Sequence, residues 1–123
     1  MLFFRVFLTY YQIPEAAYLS NCSAFYNIKG TLAENYVMNS LIHSGHKPYY
    51  WESEGKAEVD FIIQDKAGKI APIEVKSSEN VKAKSLKVFC ERYKPTTIYR
   101  VSAKNFGFEN AIKSVPLYAA FCI

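Results

Sequence analysis

The chain has 123 residues, of which 50% are hydrophobic and 21% are charged, and its formal net charge at pH 7 is +4. This composition fits one folded domain and excludes an intrinsically disordered chain, because enough apolar residues are present to form a core. No membrane span is expected, since the longest apolar stretch, residues 2–11, contains Arg5 and is shorter than the roughly 20 residues that cross a bilayer. That stretch also lacks a signal-peptide cleavage site, so we expect no secretion.

The three cysteines, Cys22, Cys90 and Cys122, are odd in number and far apart in the chain. Because no Cys-x-x-Cys pair is present, they predict neither a disulfide framework nor a structural zinc site. We therefore expect a cytoplasmic protein whose cysteines are buried as small apolar side chains.

Residues 1–17 form an N-terminal segment to which the sequence assigns no clear role, although residues 2–11 are rich in strand-forming side chains. Residues 18–20 are a candidate short strand. No linker or internal repeat is visible in the chain, so one folded domain is predicted.

A first helix is predicted from Thr31 to His43. Thr31 and Glu34 match a capping box, Gly30 precedes them, and the dipeptide Ser44-Gly45 is typical of a helix end. Glu34 lies on the same helical arc as three apolar residues, Val37, Met38 and Leu41. Two interpretations of Glu34 stay open: it points toward the sheet, or it only caps the helix.

Three strands are predicted next. Residues 49–51 are a short aromatic strand, and residues 58–64 and 69–76 alternate between apolar and polar side chains around the turn residues 65–68. Two alternating segments around a short glycine-containing loop predict a β-hairpin.

A second helix is predicted to begin at Ser77 or Ser78 and to end near Tyr93, before Pro95. Residues 97–101 and 117–122 then predict two further strands. The order helix, three strands, helix, strand indicates an α/β sandwich around a small mixed sheet.

Both strands of the predicted hairpin carry acidic residues. Because side chains alternate across a strand, Asp60 shares a face with its strand neighbour Glu58, and Glu74 shares a face with Lys76. If Asp60 and Glu74 face the same side, their repulsion must be neutralised, and Mg²⁺ prefers such oxygen ligands. Lys76 could then orient a water molecule or stabilise a phosphate. The alternative is a ladder of surface ion pairs on a solvated sheet face.

Charge is distributed unevenly along the chain. Residues 66–94 carry eight basic and three acidic side chains, whereas residues 47–65 carry two basic and five acidic ones. An acidic cluster beside a basic segment suits a metal site next to a phosphate backbone. Lys82, Lys84 and Lys87 are therefore candidate DNA contacts, or else they form the solvated face of a helix.

These residues resemble a known nuclease superfamily. Asp60, followed after a gap by Glu74-Val75-Lys76 and preceded by a helix carrying Glu34, resembles the PD-(D/E)xK motif. Over about residues 18–123 the chain resembles the C-terminal domain of unknown function of prokaryotic AAA-type ATPases. The quoted segments are KGTLAENYV at 29–37, YW at 50–51, EVDF at 58–61 and PIEVKS at 72–77. The resemblance implies a restriction-endonuclease-like fold.

The resemblance also implies a site. It assigns Mg²⁺ binding to Asp60, Glu74 and Glu34, together with the backbone carbonyl of Val75, and it assigns activation of the attacking water to Lys76. A magnesium-dependent phosphodiester hydrolase acting on DNA, normally joined to an ATPase module, is the activity that follows. The alternative is a non-catalytic DNA-binding or regulatory module of such an ATPase.

No ATP site is expected in this chain. The only Gly-Lys pair, Gly68-Lys69, is followed by Ile70 instead of Ser or Thr, and Ile63 occupies the place of the first P-loop glycine. A severed C-terminal domain is one explanation for the missing ATPase module. His43 and His46 are predicted to be polar surface residues and not zinc ligands. The aromatic run 49–51 is predicted to belong to the core, with base stacking as the alternative.

Overall fold

The fold is known from a computed structural model that describes residues 23–76 and 84–123, with side chains from residue 29 onward. The strand candidates at 2–11 and 18–20, the boundary between residues 17 and 18, and the predicted start of the second helix lie outside these residues.

The first helix, α1, spans Ser23–His43, so its predicted start at Thr31 is wrong. The helix continues through Gly30, and both Thr31 and Glu34 lie in its middle, where no capping box can form. A glycine inside a helix costs about 1 kcal/mol relative to alanine. Burial of Val37 on the same helix offsets a cost of that size.

The predicted end of α1 is confirmed. Gly45 adopts a left-handed φ of 87°. The backbone N–H groups of Gly45 and His46 donate to the carbonyls of Ile42 and Leu41 at 3.0 and 2.9 Å. This paired arrangement satisfies carbonyls that the helix end would otherwise leave without partners.

Three antiparallel strands follow α1: β1 (Tyr49–Ser53), β2 (Ala57–Gln64) and β3 (Ile70–Lys76). The predicted hairpin of β2 and β3 is confirmed. In its turn, Asp65 Oδ1 accepts hydrogen bonds of 2.9 and 2.8 Å from the backbone N–H groups of Ala67 and Lys69. This local chemistry fixes the register of the two strands.

The second half of the chain adds helix α2 (Lys84–Tyr93), strand β4 (Ile98–Ser102), which pairs parallel to β3, and a hairpin. That hairpin consists of β5 (Gly107–Glu109) and β6 (Ile112–Pro116) and was not predicted. The chain ends in a 3₁₀ helix.

The terminal 3₁₀ helix covers Leu117–Cys122, so the strand predicted at 117–122 is wrong. These residues form a short, nearly continuous apolar run, and such runs do not distinguish a strand from a buried helical turn. Pro116 precedes them with φ −58° and ψ 145°, and the chain turns from strand to helix after it.

The six strands form one mixed sheet in the order β1-β2-β3-β4-β6-β5. The predicted core order of helix, three strands, helix and strand corresponds to the elements from α1 to β4. The α/β class and the mixed sheet are therefore confirmed. None of the helices within the described ranges is long and apolar enough to cross a membrane.

One face of the sheet is covered by α1 and the terminal 3₁₀ helix. Buried side chains of α1 share one apolar cluster with alternate residues of the strands, among them Phe61, Ile73 and Val101. Helix α2 packs along β2 and buries Leu86 and Phe89 outside that cluster. The sheet also buries Glu74, which alternation directs away from the cluster side chains of β3.

Candidate active site

Asp60 and Glu74 face each other across the β2–β3 hairpin. The ladder pairs Phe61 with Ile73, and one residue further along this register Asp60 lies opposite Glu74. Opposite residues of an antiparallel pair project from the same side of a sheet. Asp60 is also fixed by the backbone of β3, because its Oδ2 accepts a hydrogen bond of 2.6 Å from the N–H of Val75.

Glu74 is a buried carboxylate between two cations. Its side chain is 7% exposed, its Oε1 lies 3.1 Å from Lys76 Nζ, and its Oε2 accepts a hydrogen bond of 3.2 Å from Arg100 Nε. A buried carboxylate without partners would cost several kcal/mol. The two cations therefore provide the partners that a carboxylate at the centre of the sheet requires.

Sequence reasoning missed Arg100. The parallel ladder of β3 and β4 sets Arg100 directly beside Glu74 and Ser102 beside Lys76. Parallel register is invisible in local periodicity, although Arg100 is the one charged residue in the strand predicted at 97–101. The available signal was a charge inside an otherwise uncharged predicted strand, and it did not identify Glu74 as the partner.

Glu34, on α1, is electrostatically coupled to Asp60. It is half-buried, and its pKa is raised, first by burial and then by the charges of Asp60 and Glu58, whereas Lys76 acts in the opposite direction. The interpretation of Glu34 as a helix cap only is wrong, because the residue lies in the middle of the helix. Its electrostatic coupling to Asp60 fits the interpretation in which it points toward the sheet.

Burial raises the pKa of Asp60, and the charges of Glu74 and Glu58 add to the shift, while the Val75 hydrogen bond and Lys76 oppose it. Carboxylates that repel one another at a partly buried position favour a proton or a cation between them. We refer to Glu34, Glu58, Asp60 and Glu74 as the carboxylate cluster.

Sequence reasoning grouped Glu58 with Asp60 but gave it no role. Glu58 raises the pKa of three neighbours, which are Glu34, Tyr50 and Asp60. The pKa of Tyr50 is raised, first by partial burial and then by Glu58 and Glu52. Tyr50 therefore lies at the border of the carboxylate cluster and, like Arg100, was not predicted as a site residue.

The aromatic run of β1 divides into two environments. Tyr49 and Tyr50 are exposed, whereas Trp51 is half-buried, with its ring edge-on to Phe89 at 5.1 Å and to Tyr93 at 6.0 Å between centroids. The core prediction for this run is therefore confirmed for Trp51 and wrong for the two tyrosines.

The donor types of the cluster suit Mg²⁺, although they do not form a ready-made cage. In the described part of the chain, no three His, Cys, Asp or Glu side chains are grouped as metal ligands. Asp60 uses one oxygen for Val75, and its Oδ1 makes no hydrogen bond within the same residues. Carboxylate oxygens are the ligands that Mg²⁺ prefers. Both oxygens of Glu74 are engaged, so a cation would have to displace one of its partners.

Two of the three predicted DNA contacts, Lys84 and Lys87, lie within the described residues. Lys84 and Lys87 are exposed on α2, and Lys87 Nζ lies 3.9 Å from Glu91 Oε1, one helical turn away. Lys82 lies outside the described residues. Exposed lysines are compatible with DNA contact and with an ordinary solvated face, so both interpretations stay open.

The two histidines that the sequence analysis considered, and the two cysteines within the described residues, lie outside the carboxylate cluster. A ring nitrogen of the half-buried His46 lies 2.8 Å from the carbonyl oxygen of Ile123, and His43 is exposed. Cys90 is half-buried and Cys122 is exposed, so the prediction of buried cysteines is wrong for these two. Cys22 lies outside the described residues.

Comparison with known proteins gives one result. The family model for a domain of unknown function, DUF4143, matches residues 29–120, which include all of the carboxylate cluster, Lys76 and Arg100. No curated protein and no solved structure matches the chain.

Proposed function

Because the chain belongs to the DUF4143 family, whose function is unknown, we propose a function from its own residues: a Mg²⁺-dependent phosphodiester hydrolase that acts on DNA. The observation that carries the proposal is the arrangement of Asp60 and Glu74 across one hairpin, with the ammonium group of Lys76 3.1 Å from Glu74. Two carboxylates and a lysine at one point fit metal-assisted hydrolysis of a phosphodiester.

The topology supports the finer assignment to the restriction-endonuclease-like fold. Antiparallel β2–β3 pairing, parallel β3–β4 pairing and an intervening helix agree with the core that the PD-(D/E)xK resemblance implies. In such a domain the acidic residues lie on the two strands of the hairpin and the lysine follows two positions after the second acid.

Each residue would have a separate task. Asp60 and Glu74 would hold the metal, with Glu34 and the Val75 carbonyl completing its surroundings. A bound Mg²⁺ would lower the pKa of a water molecule and stabilise charge on the phosphate. Lys76 would hold Glu74 in place and donate a hydrogen bond to the attacking water. The exposed Lys84 and Lys87, together with Lys82, would contact the DNA backbone.

The test is cleavage of supercoiled and linear plasmid DNA by the purified chain in Mg²⁺ and in EDTA. We expect nicking or cutting only with Mg²⁺ and its loss in Asp60→Asn and Lys76→Met. Lys69→Met is the matched control, because Lys69 is an exposed lysine in the turn of the same hairpin. Equal cleavage by all variants would reveal a contaminating nuclease, and no cleavage by the wild type on either DNA would reject the proposal.

A second candidate function is a non-catalytic DNA-binding or regulatory module of an ATPase. The observation in its favour is the closed ion network at Glu74, which needs no metal because Lys76 and Arg100 already occupy both oxygens. DNA binding without cleavage and without an effect of Mg²⁺ would favour this candidate. Sequencing the DNA upstream of the codon for Met1 would reveal a P-loop reading frame if the chain is a severed ATPase domain.

A further inference from the structure

We propose that Arg100 is a positioning residue that competes with a divalent cation for Glu74 and so sets the cation affinity of the site. The inference rests on the metal site of the proposed function, but it concerns a residue to which neither the motif nor the sequence pattern assigns a role. Arg100 Nε donates to Glu74 Oε2 at 3.2 Å, from the strand next to the one that carries Glu74.

The geometry gives Arg100 a direct effect on the carboxylate. Glu74 has two oxygens, and the ammonium of Lys76 already occupies Oε1. Arg100 Nε occupies Oε2, so a metal that binds Glu74 must displace one of these two cations. A guanidinium at this distance repels any dication that approaches the same oxygen, because the surroundings are partly shielded from water.

The guanidinium of Arg100 can also move away from Glu74 into solvent. Its side chain is 33% exposed, compared with 7% for Glu74, so the guanidinium has access to solvent while the carboxylate has almost none. Only Nε takes part in the contact, and the terminal nitrogens of Arg100 make no hydrogen bond within the described residues. Released from Glu74, these donors match the oxygens of a phosphate.

Lys76 is less suited to this exchange. Its side chain is less exposed than that of Arg100, at 22% against 33%, and it lies two residues from Glu74 on the same strand, so its ammonium can reach the carboxylate whenever β3 is formed. Arg100 depends instead on the parallel pairing of β4, and it can break its contact without any change in β3. Of the two cations, we therefore expect Arg100, and not Lys76, to be displaced from Glu74 by a metal.

The experiment compares cation binding and stability in wild type, Arg100→Gln and Arg100→Lys. Mn²⁺ and Mg²⁺ binding to the purified chain is measured by calorimetry without DNA, and thermal unfolding is measured in EDTA. In Arg100→Gln we expect cation affinity to rise roughly tenfold or more, while the metal-free melting temperature falls by a few degrees. Arg100→Lys keeps the charge and should retain the wild-type affinity. Lys113→Gln, which removes an exposed lysine on β6, is the matched control for net charge.

A merely structural Arg100 would lower stability and cation affinity together, so an unchanged or weaker affinity in Arg100→Gln contradicts the inference. Tighter binding in Lys113→Gln of the same size would also contradict it. If neither wild type nor Arg100→Gln binds a cation at millimolar concentration, the proposed function fails and the inference with it. Cation binding by wild type without DNA cleavage would reject only the hydrolase.

Should Arg100→Gln fail to fold, the wild type still decides the question. The Nε–H signal of Arg100 in an NMR spectrum reports its hydrogen bond to Glu74, and saturating Mg²⁺ should move that signal toward the position of a solvated guanidinium. A signal that does not move while calorimetry shows Mg²⁺ binding contradicts the inference.

Discussion

Asp60 is bonded to the neighbouring strand by its side chain, since its Oδ2 accepts a hydrogen bond of 2.6 Å from the backbone N–H of Val75. The paired residues of the β2–β3 ladder end one step earlier, at Phe61 and Ile73. A carboxylate thus continues the attachment of the two strands beyond their last backbone pair. Asp60 also lies opposite Glu74 in the same register, so one residue belongs to both the sheet and the site.

Substitutions at Asp60 should separate these two roles. Asp60→Ala removes the acceptor and leaves the N–H of Val75 without its bond, which should lower the free energy of unfolding by about 1–3 kcal/mol. Asp60→Asn keeps an acceptor and removes the charge that burial and Glu74 disfavour, so the metal-free protein should become slightly more stable. Urea unfolding in EDTA measures both. Equal destabilisation by the two variants would mean that charge repulsion contributes nothing.

The carboxylate cluster should give the protein an unusual dependence on pH. The pKa values of Asp60 and Glu34 are raised above their ordinary values of 3.8 and 4.5. Between the ordinary and the raised pKa the folded state binds more protons than the unfolded state. Stability from these two groups is therefore complete below the ordinary pKa values and is lost as pH rises through the raised ones.

The measurement is the free energy of unfolding of wild type and of the double variant Asp60→Asn, Glu34→Gln in EDTA, from about pH 4 to 7. Subtracting the free energy of unfolding of the double variant from that of the wild type at each pH removes the contribution of the other acids. Relative to it, the wild type should gain stability as pH falls. A difference that is flat, or that shrinks toward low pH, contradicts the raised pKa values.

Lys76 should matter for stability as well as for cleavage. Its ammonium lies 3.1 Å from the buried Glu74 and its side chain is 22% exposed, so Lys76→Ala leaves the carboxylate with Arg100 alone. We expect a loss of about 1–2 kcal/mol in the metal-free protein, less than for a fully buried pair. Urea unfolding of Lys76→Ala and Lys69→Ala tests this, since Lys69 is exposed in the hairpin turn. An equal, small effect of both would show that Arg100 suffices.

DNA affinity should depend steeply on salt if Lys82 and the two exposed lysines of α2, Lys84 and Lys87, contact phosphates. Replacing Lys82, Lys84 and Lys87 together by Gln should reduce the slope of log K against log salt by up to about 3, because each lost phosphate contact removes roughly one released counterion. Fluorescence anisotropy with labelled duplex DNA measures the slope. A control with Gln at the exposed Lys47, Lys56 and Lys113 carries the same change in charge. Equal slopes in the two triple variants would rule out a specific interface on α2.

The hairpin could be predicted from sequence because its determinants are local. Val59, Phe61 and Ile63 recur at every second position and are buried, and the turn that follows is organised by the Asp65 side chain. The start of α1 could not be predicted in the same way. Gly30 favours a break when only its neighbours are considered, and packing of the helix against β3 overrides that preference.

The site was predictable to the same extent as the hairpin. Asp60, Glu74 and Lys76 lie on two strands joined by a short turn, so alternation alone brings them to one side. Arg100 reaches Glu74 from 26 residues away through a parallel ladder, and parallel register depends on how α2 connects the strands. No local pattern contains that information, which is why the second partner of Glu74 was missed.

The place of β3 between an antiparallel and a parallel neighbour has a consequence for folding. Pairing of β2 with β3 closes a short loop, whereas pairing of β4 with β3 closes the longer connection through α2. Short loops close faster than long ones. We therefore expect Asp60 and Glu74 to come together before Arg100 is in place, with Lys76 as the nearest cation. When β4 pairs with β3, Arg100 reduces the repulsion between the carboxylates of Asp60 and Glu74. The electrostatics of the site therefore stabilise the completed sheet more than the isolated hairpin. Mildly acidic solution, which protonates carboxylates, should favour the hairpin as an early folding species.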